Sequence, residues 1–176
     1  MCHIFTFIDT QALKTLDLRN NQIGARGTQL LAEMLKDTRI LTVLNLANNH
    51  IGDSGAKWLA AVLDQNTTLT TLVLQNNKIG DTGIESLALA LEHNKTLTTL
   101  DLASNEIGDT GATYLARALK NNTTLTSLDI LANRIGDQQA SNLTDLLKKK
   151  EVRSCDVLAD SPKCYPFSQS YDINMK

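Results

Sequence analysis

A single pattern returns every 28 residues from Leu13 onward, at Leu13, Leu41, Leu69, Leu97 and Leu125. Each of these leucines is followed by an aliphatic residue at +3 and +5, an asparagine at +8 and Ile-Gly at +10 and +11. One copy reads LTTLVLQNNKIGDTG (residues 69–83) and another LTTLDLASNEIGDTG (residues 97–111). Five copies without an insertion describe a stack of like units rather than a single globular core. Such stacks act through the surface they present, so function is expected on a broad face and not in an enclosed pocket.

Within residues 69–96, Leu72 and Leu74 alternate with Thr71, Val73 and Gln75, the period of a short strand buried on one face. Asn77 recurs as Asn21, Asn49, Asn105 and Asn133. A side-chain amide both donates and accepts, so this column can satisfy backbone groups freed where the chain turns inward. Beyond Ile79-Gly80, Asp81 is expected to N-cap a helix, with Asp53, Asp109 and Asp137 in equivalent places. Leu87 and Leu91 then share one helical face, as do Leu59/Leu63, Leu115/Leu119 and Leu143/Leu147. Gly27, Gly55, Gly83 and Gly111 remove a side chain where a helix start meets its neighbour, and Ala32, Ala60, Ala88 and Ala116 permit similar close packing. Gln139 and Thr144 break these two columns in the last copy, as befits a terminal unit.

Each unit is therefore a strand, a turn and a helix of about three turns. Successive strands run the same way, so they stack in parallel. Strands pack ~4.8 Å apart while helices need ~8–10 Å, so the helical side is longer and the array bends by roughly 20–30° per unit.

The pattern LxxLxLxxN-x-I-G-x-x-G-x-x-x-L-x-x-x-L over residues 13–150 resembles the leucine-rich repeat of the ribonuclease-inhibitor-like class. That class includes the repeat domains of NOD-like immune receptors and of Ran GTPase-activating proteins. The resemblance implies an α/β fold: a right-handed curved solenoid with a parallel β-sheet on the concave side and helices on the convex side. It also implies protein binding, with a sensing or autoinhibitory segment of a NOD-like receptor and a GTPase-activating domain as alternatives. Mammalian ribonuclease inhibitors alternate two repeat lengths and carry many cysteines, whereas here every spacing is 28 and every asparagine of the column is kept.

Composition removes several function classes. A net charge of −2 and a pI near 5.9 speak against nucleic-acid binding. No apolar stretch approaches the ~20 residues of a membrane span, and residues 1–12 lack the form of a signal peptide. A cytoplasmic, monomeric chain is expected, with end-to-end association open if the ends are uncapped. No cofactor or metal is expected, since His3, His50 and His93 fall at different repeat positions and no phosphate loop or catalytic triad is present. Cys2, Cys155 and Cys164 read as reduced thiols, with a Cys155–Cys164 pair left open. The sequons at Asn66, Asn94, Asn121, Asn122 and Asn142 read as turn chemistry copied with the repeat. Lys148, Lys149 and Lys150 fall where cations complement the last helix's dipole. Trp58 and Tyr114 are expected as partly buried packing residues on the flank of the leucine stripe.

The strand face turned away from the helices remains as the candidate site for a protein or peptide. Its candidate contacts are Asp17, Arg19, Val43, Asn45, Val73, Gln75, Asp101, Asp129 and Leu131, positions that core packing does not dictate. The ends read differently from the middle. Residues 1–12 suggest a partial preceding repeat or an improvised cap, because Ile4 and Phe7 fall in the columns of Ala32 and Leu35. Residues 151–176 suggest an edge strand followed by a cap or tail. A register shifted by one residue would bury Val152, Cys155 and Val157 and put Asp156 beside Asp129.

Overall fold

A computed structural model describes residues 13–154, apart from the side chain of Ser154. The expectations for residues 1–12 and 155–176, including Asp156 and the cysteine pair, lie outside the described residues. Strand and helix alternate: β1 (Thr15–Asp17), α1 (Gly24–Leu35), β2 (Val43–Asn45), α2 (Gly52–Leu63), β3 (Thr71–Val73) and α3 (Asp81–His93). They continue as β4 (Thr99–Asp101), α4 (Asp109–Asn121), β5 (Ser127–Asp129), α5 (Asp137–Lys149) and β6 (Arg153–Ser154). The strands form one sheet in sequence order, every neighbouring pair parallel. This is an α/β solenoid, curved because the thin sheet is its shorter side.

From β1 to β5 the pairing register equals the sequence period: Leu16 sits beside Leu44, Leu44 beside Leu72, Leu72 beside Leu100 and Leu100 beside Leu128. The leucines stack layer over layer into one continuous core between sheet and helices. Leu13 is 41% exposed whereas its equivalents Leu41, Leu69, Leu97 and Leu125 are buried, since no described layer precedes it. The edge strand departs from the expected register by one residue. Arg153 pairs with Ser127 and Ser154 with Leu128, one position from the expected partners, while Val152 is buried against the core as expected. With only two residues in β6, the hydrophobic pattern had too little length to decide between the two alignments.

Side-chain amides tie the layers together along two lines. Asn49 Nδ2 donates to Leu18 O of the preceding layer at 2.8 Å, while its Oδ1 accepts from Asn21 N at 2.9 Å. Asn77 and Asn105 repeat both bonds. The second line was read from sequence only as turn chemistry. Asn94 Oδ1 accepts from Leu97 N at 2.7 Å, and its Nδ2 donates to Leu63 O at 2.7 Å. Asn122 does the same one layer on, and both residues are buried. Lys150 stands next in this line, and its Nζ donates to Lys120 O and Asn122 O at 3.0 and 3.1 Å. A cation thus satisfies carbonyls at the end of α4, the helix before the one whose dipole the lysine run was expected to complement.

Contrary to expectation, the aspartates at the helix starts do not cap their own helices. No helix receives a side-chain cap from its own first residues. Instead, Asp53 Oδ1 accepts from Gly80 N at 2.7 Å and Gly83 N at 3.0 Å, both in the following layer. Asp81 makes the same pair of bonds to Gly108 and Gly111, and Asp109 accepts from Gly136 N at 2.8 Å. Each carboxylate caps its neighbour's helix. Trp58, at 40% exposure, also stands further into solvent than a packing residue should, while Tyr114 is half-buried with Arg117 over its ring.

Candidate protein-binding face

The strand residues that point away from the helices form columns spaced by the sheet. Asp17, Asn45, Val73, Asp101 and Asp129 are successive Cα partners across β1 to β5. Val43 lies in the column of Thr15, Thr71 and Ser127. Arg19, Gln75 and Leu131 lie two residues beyond the middle column, where backbone bonds such as Asn48 N to Gln75 O still join adjacent layers. All nine candidate residues therefore belong to one continuous surface.

They do not contribute equally. Asp17, Arg19 and Gln75 are exposed, and Val43, Asn45, Asp129 and Leu131 are half-buried. Val73 and Asp101 are each only 5% exposed, walled in by side chains on both neighbouring strands. A role in the scaffold explains part of the middle column. Asp17, Asn45, Asp101 and Asp129 each accept, through Oδ1, the backbone N–H two residues ahead, at 2.9–3.1 Å. This Asx turn ends the strand by satisfying a donor that has just left the ladder. Column position and residue type carried that signal in the sequence, but the reading assigned the column wholly to ligand contact. Arg153 on β6, beside Ser127, is a further cation on this face that the shifted register had concealed.

The electrostatics change along the column. Burial pushes the Asp17 carboxyl up, but Arg19 reverses this through its side-chain and backbone hydrogen bonds, and the net pKa is lowered. Arg19 Nη2 and Nε both donate to Asp17 Oδ2, at 2.6 and 2.9 Å, so two N–H groups of the fork converge on one oxygen. Asp101 has no such partner. Burial pushes its pKa up to about 6, against the Ala103 N–H, with the charge of Asp129 adding to the rise. Burial also raises Asp129, opposed by the Leu131 N–H.

The leucine-rich repeat family matches residues 11–32, 39–60, 65–88, 93–116 and 121–143, well over half of the chain. The chain belongs to the leucine-rich repeat family. Among curated protein sequences, none is similar enough to carry a comparison. A solved structure titled "Leiomodin-1 Actin-Binding Site 2 (ABS2)" is similar at 27% identity and a TM-score of 0.66, over 78% of this chain and 80% of that one. The tropomodulin C-terminal domain of Caenorhabditis elegans is similar at 17% identity and a TM-score of 0.66, over 81% of this chain and 86% of that one, a likeness of fold. These relationships make the chain a leucine-rich repeat scaffold. Among the described residues no helix is long and apolar enough to cross a membrane.

Proposed function

We propose that this leucine-rich repeat is a non-enzymatic scaffold that grips a protein or peptide on its concave strand face. One observation carries the reading: nine variable side chains share a continuous curved surface whose backbone is locked by layer-to-layer bonds. A rigid surface loses little entropy on binding, which favours recognition by side chains of different repeats acting together. The uniform 28-residue period and the asparagine column support the finer placement in the ribonuclease-inhibitor-like class.

Actin is the first partner to test, because the leiomodin-1 structure is named as an actin-binding site. The protein should pellet with actin filaments or bind actin monomers, and the double variant Val43→Arg/Gln75→Arg should not. Both positions lie on the strand face and neither supplies an Asx turn, so far-ultraviolet circular dichroism should be unchanged. Should actin fail, cross-linking of a partner captured from cell extract locates the contact. Equal capture by both proteins sinks the strand-face reading.

A further inference from the structure

The middle column contains its own demonstration of what an aspartate there can hold. Asp17, Asp101 and Asp129 share the same Asx turn, with Oδ1 taken by the N–H of residue +2. In the first layer residue +2 is Arg19, whose guanidinium occupies Oδ2. In the fourth and fifth layers residue +2 is Ala103 or Leu131, and Oδ2 has no hydrogen-bond partner among the described residues. Asp101 is nonetheless almost wholly buried, and its neighbour across the strand pair is a second carboxylate. No ionisable side chain faces it from β3, where Thr71, Val73 and Gln75 stand. On the other side, Arg153 reaches only the Ser127 level of the sheet and makes no ion pair among the described residues.

A buried carboxylate without a cation is costly to keep, and two side by side are more so. Resting on the proposed strand-face reading, we infer that Asp101 and Asp129 form a receptor for an arginine side chain of the bound protein. That guanidinium fills the place beside the carboxylates that Arg19 fills beside Asp17. The flat fork matches a carboxylate pair in a way an ammonium does not, and Val73 and Leu131 flank the place as apolar walls. Ala103 and Leu131 stand where Arg19 stands in the first layer, so neither supplies a cation of its own to these carboxylates.

The probe is an octa-arginine peptide, with octa-lysine and octa-glutamate for comparison, titrated against the whole chain by fluorescence anisotropy. Octa-arginine should bind best, and Asp101→Asn/Asp129→Asn should weaken it by about tenfold or more. Asparagine at Asn45 already makes the same turn, so these variants keep the strand end intact. Asp17→Asn should leave binding within about twofold, because that carboxylate is already occupied. Ala103→Arg or Leu131→Arg should compete from within the chain and abolish binding. The wild-type interaction should also fade as pH falls through about 6, where Asp101 takes up a proton. Equal loss with Asp17→Asn, or no loss with the double variant, overturns the arginine receptor. If octa-arginine fails while Val43→Arg/Gln75→Arg still prevents partner capture, only this inference falls and the scaffold reading stands.

Discussion

Aspartate recurs along this chain in two columns, and the two are used in opposite ways. Asp53, Asp81 and Asp109 lie at the helix starts, and each carboxylate is taken up by backbone N–H groups of the layer that follows. Asp17, Asp101 and Asp129 lie on the strand face, and each satisfies only a donor of its own layer. The first column joins layers and belongs to stability. The second leaves an oxygen uncommitted, filled in one layer by Arg19 and open in two others. One residue type at one period thus joins layers on the helical side and, on the proposed binding face, leaves a carboxylate oxygen uncommitted.

The largest expected effect comes from crowding the joining column. A Cβ on Gly83 would stand 2.7 Å from Asp53 Oδ1 and from Ile79 Cγ2, and 3.1 Å from Ala56 Cβ. Gly83→Ala should therefore cost about 2–3 kcal/mol by chemical denaturation, since layer spacing and the carboxylate bond are disturbed together. Gly27 in the first layer has no such aspartate behind it among the described residues, where an added methyl meets its own Ile23 side chain. Gly27→Ala should cost well under half as much. Equal costs would mean that the contact with the preceding isoleucine, common to both glycines, sets the penalty instead of the carboxylate.

Removing the carboxylate itself comes next. Asp81→Ala strips Gly108 N and Gly111 N of their acceptor, which should cost about 1–2 kcal/mol, the range for a lost helix cap. The strand-face column should respond with the opposite sign. Asp101 has a folded pKa pushed up to about 6, above its ordinary value, so the folded chain binds this proton more tightly than the unfolded one. The resulting penalty is absent below the unfolded pKa, grows as pH rises through the window up to about 6 and is complete above it. Asp101→Asn should therefore raise stability at neutral pH by roughly 1 kcal/mol, and the gain should shrink as pH falls below about 6 and vanish below the unfolded pKa. A pH-independent gain would assign it to packing instead.

Much of this division was hidden in the sequence, for a physical reason. Leucine columns announce themselves because burial selects apolar residues at the core period, and the asparagine column because a short amide both donates and accepts where the strand ends. Recurrence tells that Asp81 matters but not which layer its carboxylate reaches. Its reach follows from the lateral offset of adjacent units, a property of the stack that no single repeat displays. The same limit applied on the strand face, where Asp101 looked like a free contact although its Oδ1 already ends the strand. Burial of Val73 and Asp101 was equally invisible, since it arises from flanking strands. The middle register was legible because five equal spacings agree, whereas β6 offered two residues and a broken pattern.

The sharpest test of the joining column is also the smallest in energy. Ala25 stands where Asp53, Asp81 and Asp109 stand in later layers, and the layer after it differs accordingly. Gly52 adopts φ +60° and its N–H donates to Asn77 O ahead of it, while Gly80 and Gly108 are extended and donate back to an aspartate. A Cβ at Gly52 meets nothing within 4 Å, so Gly52→Ala should cost only the left-handed penalty, about 1–2 kcal/mol. Ala25→Asp supplies the missing acceptor and should draw Gly52 into the extended form, gaining about 0.5–1 kcal/mol. In that background Gly52→Ala should become nearly neutral, because the positive φ is no longer required. A double-mutant cycle reads this as a coupling of about 1 kcal/mol between two residues in different layers. Simple additivity would show that the turn is set by Gly52 and its own layer, and that the aspartate column follows the backbone instead of directing it.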